Sequence, residues 1–177
     1  MAEETEPITI IYQTTEDDAG DMVVCHFNFA DRNGENLIFI KKNEKPLSFE
    51  DNRIAKAIEN YHVKLLILDS MSSYIEEECS MNNANETRAE FNYLIATAKD
   101  TGCAIVIMTH LNKTKGTNPL YHTNGSIDIA GTARSILAIT LTPNKEALTE
   151  RYMVQVKSNF APIGWAMLFE IAKALAI

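Results

Sequence analysis

Residues 65–68 read Leu-Leu-Ile-Leu and run without a break into Asp69. A short unbroken apolar run suits a strand buried on both faces, as in a parallel sheet. The leucines are also helix formers, so periodicity alone leaves the choice open. The early stop at Asp69, Ser70, Ser72 and Ser73 favours a strand over residues 64–70. Such a strand delivers one carboxylate at its C-terminal tip, and ligands of open parallel sheets bind beyond those tips. Asp69 is also a residue type that caps a following turn.

The rest of the chain sets the frame for that strand. Its 177 residues are enough for one domain with a real core. A net charge of −8 argues against a large nonspecific nucleic-acid surface, though not against a local basic patch. Cys25, Cys79 and Cys103 are widely spaced and odd in number, with no CxxC pair, which fits a reduced, cytoplasmic setting. No apolar run reaches the length of a membrane span, and the acidic start MAEETEP is not a secretion signal.

Residues 8–14 (ITIIYQT) read as a strand, followed by a helix start at Thr14–Asp18 and a helix toward Ala30. Asn33–Gly34 marks a turn and residues 37–41 a short strand. Ser48 and Asp51 resemble a capping box opening a helix to about Tyr61, with Ile54, Ala57, Ile58 and Tyr61 on one face. After the central strand, residues 71–85 read as a polar loop with a short helix. Residues 85–100 read as a helix with Ala89, Leu94, Ile95 and Ala98 inward and Gly102 past its end. Residues 103–110 (CAIVIMTH) are a second apolar run ending in polar residues, and Cys103 belongs to the core. A loop over 112–124 and a short helix within 125–134 follow. Residues 135–141, 152–157 and 165–171 are strands whose short links favour antiparallel pairing, with Trp165 and Phe169 covering the sheet. The expected fold is a three-layer α/β domain, a mostly parallel sheet with C-terminal antiparallel strands, spanning residues 1–177.

The polar residues at the strand tips come in a characteristic order. Glu16 follows the first strand, Asp69 ends the central one and Thr109–His110 ends the next. A Gly/Ser segment with Arg134 (GSIDIAGTARSIL) comes next, then VKSN with Lys157 and Asn159. This order resembles the RecA-like ATPases, and within them the RepA/DnaB-type hexameric helicase cores of plasmids, phages and mobile elements. The resemblance runs from about Ile8 to Ile171. It implies a cytoplasmic Mg²⁺- and ATP-dependent enzyme of DNA replication, recombination or repair. In it Asp69 is the Walker B aspartate that holds Mg²⁺ through water, Glu16 activates the attacking water and His110 senses the γ-phosphate. Arg134, Lys157 and Asn159 lie where residues serve a nucleotide, Lys157 reaching that of a neighbouring subunit. Phosphoryl transfer needs a metal, an oriented water and positive charge gathered at one edge, which separate strand tips can supply.

The family's phosphate loop, GxxxxGK[ST], is not found in residues 1–177. None of the glycines, at 20, 34, 102, 116, 125, 131 and 164, begins that pattern, and GSIDIAGT has its glycines one residue too far apart and no lysine after them. The resemblance implies that the first strand, the loop and its helix would lie upstream of Met1, so this chain alone is expected to bind ATP weakly or not at all. It also implies a gap beside the strand at 103–110, to be closed by the neighbouring strands or by a second copy, since sheet edges do not stay buried and unpaired. Self-association to a dimer or higher oligomer follows as an expectation.

Each candidate has a plainer reading. Glu16 suits a helix N-terminus, His110 a strand end, and Lys113, Lys115 and Arg134 suit solvent as well as single-stranded DNA or a neighbour's phosphate. Glu76–Glu78 read as a solvated loop, because three consecutive carboxylates do not converge on one ion. His26, His62 and His122 lack ligand spacing. Two other functional classes remain: an assembly module that keeps the fold without nucleotide chemistry, and a metal-assisted hydrolase built on Asp69, Glu16 and His110.

Overall fold

A computed structural model of the chain describes residues 6–15, 23–24, 34–41, 46–75, 84–110, 127–144 and 146–171. These residues fall into two compact units, Met1–His110 and Leu111–Ile177. The helix expected toward Ala30, the Glu76–Glu78 loop and the loop over 112–124 lie outside the described residues, as do Glu16, Lys113 and Lys115.

In the first unit the elements are β1 (Ile10–Thr14), β2 (Leu37–Ile38), α1 (Asn52–Asn60), β3 (Leu65–Asp69), α2 (Ala84–Thr101) and β4 (Ala104–Ile107). The strands form one parallel sheet in the order β2-β1-β3-β4. Parallel pairing needs crossovers, and α1 and α2 lie in the connections from β2 to β3 and from β3 to β4. The run at 65–68 is thus a central strand, and Leu66 and Leu68 are fully buried with Ile11 of β1. Burying each such side chain stabilises the fold by about 1.5–3 kcal/mol.

Helix α1 starts where its first free amides find a partner. Asp51 is itself the N-cap, and its carboxylate accepts from the Arg53 amide at 2.8 Å. The cap is therefore one position, not a box opened by Ser48. Ile54 and Ile58 are buried, whereas Tyr61, expected on the same face, is exposed at the helix end. Helix α2 is rotated from the expected phase. Its buried residues are Glu90, Phe91, Leu94 and Thr97, while Ala89 and Ile95 are exposed. Phe91 explains the rotation: its ring packs 5.1 Å from that of Phe49, which in turn stacks on Tyr74. Gly102 ends α2 with φ +70°, a conformation open to glycine without a Cβ penalty, and its N–H reaches the Ala98 carbonyl at 3.0 Å.

Strand β4 forms within the second apolar run, residues 103–110. It is the outer strand of its sheet, with Ala104, Val106 and Met108 exposed along one face. Cys103, just before it, is buried as expected.

The second unit holds α3 (Ile127–Thr132), β5 (Ser135–Leu141), β6 (Glu150–Ser158) and β7 (Met167–Glu170). The strands make a separate antiparallel sheet, β5-β6-β7, with a bulge between Ile136 and Leu137. Trp165 precedes β7 and is almost wholly exposed, so it does not cover the sheet as its parity with Phe169 implied. The strands β4 and β5 belong to different sheets.

Candidate functional site

The parallel register decides which side chains meet at the strand tips. Tyr12 of β1 lies opposite Ile67, and Thr14 opposite Asp69. Tyr12 and Asp69 therefore share a face on a diagonal, within reach of a long side chain. The Tyr12 hydroxyl donates to Asp69 Oδ2 at 2.8 Å. The backbone joins the same place: the Thr15 amide donates to the Asp69 carbonyl at 3.1 Å, and Thr15 Oγ1 donates to Ser73 Oγ at 2.6 Å. The Asp69–Ser70 peptide is cis. Beyond it a short 3-10 turn, Met71–Ser73, begins with the Met71 amide donating to the Met108 carbonyl at 2.8 Å. The ends of β1, β3 and β4 are thus stitched together at one rim.

Tyr74 completes this neighbourhood. It is buried, and its hydroxyl has no hydrogen-bond partner among the described residues. Burial raises its pKa above the ordinary phenol value, and the charge of Asp69 and the phenol of Tyr12 push in the same direction. Burial thus favours the protonated form of the hydroxyl. An unpaired buried hydroxyl costs about 1–3 kcal/mol.

Of the expected site residues, Asp69 lies at this rim. His110 follows the end of β4 by three residues and is exposed. Glu16 lies outside the described residues, although Thr15 beside it is tied to Asp69. The site residues that sequence reading missed are Tyr12 and Tyr74. Tyr12 had one signal, its spacing of two from Thr14 at the strand tip. Tyr74 had none, since its burial depends on Phe49.

The metal implied by the resemblance can be judged from the donor set. The rim offers the Asp69 carboxylate and the hydroxyls of Thr14, Thr15, Ser70 and Ser73, all oxygen, which suits a hard cation held partly through water. Among the described residues no group of three or more His, Cys, Asp or Glu could hold an ion by itself. The fit is to Mg²⁺ whose other ligands are water and phosphate oxygens, not to a closed protein cage.

Arg134, Lys157 and Asn159 lie in the second unit. Lys157 Nζ donates to the carbonyls of Ala130, Gly131 and Ala133 at 2.7, 2.9 and 2.7 Å. All three ammonium hydrogens are thereby placed at the C-terminal end of α3, where a cation is favoured. The Asn159 amide donates to the Arg134 carbonyl at 2.9 Å, and the Arg134 guanidinium lies 5.5 Å from the centre of the Phe160 ring.

A sequence model of the AAA domain family (AAA_25) matches residues 5–116, more than half of the chain. The chain belongs to the AAA domain family. That match covers β1 to β4 and every residue of the rim around Asp69. The AAA domain is similar in fold to the crystal structure of the RadB recombinase, at 15% identity and a TM-score of 0.63, covering 93% of this chain and 76% of that one. The fold is thus RecA-like, with a parallel sheet and a separate antiparallel one. No curated protein matches the sequence. Among the described residues no helix is long and apolar enough to cross a membrane.

Proposed function

We propose that this AAA domain is the part of a RepA/DnaB-type ATPase core that presents the metal-binding carboxylate, and that it turns over ATP only together with a glycine-rich phosphate loop. The observation that carries this reading is Asp69 at the tip of a central parallel strand, tied through Tyr12 and Thr15 to the tip of β1. Asp69 is the group to hold Mg²⁺ through water. Glu16, next in sequence to Thr15, is the group to orient the attacking water, and His110 the group to feel the γ-phosphate. The metal, when bound, draws charge from the transferring phosphoryl group.

In the second unit Arg134 is the cation offered to a neighbouring subunit's phosphate. Lys157 and Asn159 hold the segment that carries it, rather than making that contact themselves. Lys113 and Lys115 remain candidates for single-stranded DNA, on charge alone.

Without GxxxxGK[ST] the phosphates have no backbone cradle, so the chain alone should neither bind ATP tightly nor hydrolyse it. Isothermal titration with ATP and Mg²⁺ tests this on the chain and on a version extended upstream to include such a loop. Micromolar affinity of the chain alone would overturn the requirement for the loop. An extended version that binds ATP equally well after Asp69→Asn, and hydrolyses it, would remove Asp69 from the mechanism.

A second reading, an assembly module of the same fold, is favoured by β4. Its outer edge has no lysine, proline or bulge, the devices that keep edges from pairing, and Val106 and Met108 are exposed beside it. Self-association through that edge is expected, and a strictly monomeric mass at high protein concentration would exclude it.

A further inference from the structure

Resting on the reading of Asp69 as a metal-binding carboxylate, we propose that Tyr12 is a positioning residue for it: the phenol holds Oδ2, so that Asp69 presents Oδ1 to a divalent cation's water shell. The two oxygens differ in what surrounds them. Oδ2 accepts from Tyr12 at 2.8 Å, while no described residue donates to Oδ1. A carboxylate on a strand tip has two rotatable bonds, and one strong donor from the neighbouring strand removes most of that freedom. The donor itself is anchored, because Tyr12 sits within β1 and its register against β3 is set by the pairing of Ile10 with Leu65 through Thr14 with Asp69. Partners of this kind behind metal ligands change affinity by about 10–100-fold when removed.

Tyr74 lies in the same neighbourhood. Its hydroxyl is buried and has no hydrogen-bond partner among the described residues, and Tyr74 closes the short turn that follows Asp69. No described residue donates to Oδ1 of Asp69. Tyr12 orients the carboxylate, and Tyr74 is the second tyrosine of the same neighbourhood.

The test uses the full chain with ring-labelled tyrosine and Mn²⁺ as the probe, followed by paramagnetic broadening of the tyrosine ring resonances. In the wild type Tyr12 and Tyr74 should broaden first, ahead of Tyr61 and Tyr152, and Asp69→Asn should abolish that preference. Tyr12→Phe keeps the ring and removes the donor; the Mn²⁺ concentration that broadens Tyr74 should then rise about tenfold. An unchanged or lower concentration overturns the positioning role and leaves Asp69 as the ion's ligand. Broadening in the wild type without preference for Tyr12 and Tyr74 overturns both statements. If Tyr12→Phe proves poorly folded, Mg²⁺ titration of the wild type decides instead. The hydroxyl-bearing carbon of Tyr12 must shift before those of Tyr61 and Tyr152, and an unmoved signal overturns the proposal.

Discussion

Strands β3 and β4 are built from nearly interchangeable stretches, LLIL and AIVI, yet they live in different surroundings. Leu66 and Leu68 are 0% exposed, whereas Val106 is 47% and Met108 43% exposed. Both strands pair in parallel and both end in polar residues at the same rim. What separates them is the number of neighbours among the described strands: β3 lies between β1 and β4, and β4 pairs with β3 alone. An apolar run therefore announces a strand of a parallel sheet without announcing its place in the order. The contrast also bears on function, because the interior strand carries the fixed carboxylate and the outer one carries the open edge.

Truncation is the most direct way to break this comparison. Leu68→Ala should lower unfolding free energy by about 2–5 kcal/mol, and Val106→Ala by under about 1 kcal/mol, since only the first leaves a cavity in packed surroundings. Equal losses in urea denaturation would mean that the two strands are equally enclosed. Alkali should have the next largest effect. Burial pushes the Cys103 thiol above its ordinary value of 9.0, outweighing the Leu66 hydrogen bond and the Lys64 charge that lower it, and burial likewise raises the Tyr74 phenol above 10.0. The fold holds both groups protonated. Their contribution is complete below the unfolded values and is lost as pH rises past about 9 for the thiol and about 10 for the phenol, where the unfolded chain binds fewer protons. The thermal midpoint should fall from about pH 9 upward, and Cys103→Val should delay the onset; an identical profile in that variant would place the thiol in water. The smallest effect on stability, and the sharpest on the comparison, belongs to Val106→Lys. A charge on the exposed face beside the open edge should leave the unfolding free energy within about 0.5 kcal/mol and abolish self-association measured by sedimentation. Persistent association would move the contact away from β4.

Much of the rim was legible beforehand because its cues are local. Asp69 stands directly after an apolar run, and Thr14–Thr15 directly after a β-branched one. The phase of α2 was not legible. Ala89, Phe91, Leu94, Ile95 and Ala98 wrap around the helix, so no single stripe dominates, and the Phe49 ring selects the face by packing against Phe91. Nor was the partner of Lys157: a basic residue in a strand reads as solvated, and the carbonyls it reaches lie 24–27 residues away in sequence. Tyr12 was the largest omission, since a tyrosine in a strand reads as half-buried surface until the register places Asp69 on its diagonal.

From residue order alone came the strands, the carboxylate at the end of one of them, the absence of GxxxxGK[ST] from residues 1–177, and the α/β class. These depend on side-chain chemistry within a few residues, which needs no knowledge of the rest of the chain. Tertiary structure alone decided that β4 exposes Val106, that α2 turns Phe91 inward, and that the Tyr12 phenol rests on Asp69. Each of those is a meeting between segments far apart in sequence, and its energy exists only once the backbone has brought them within a few ångströms.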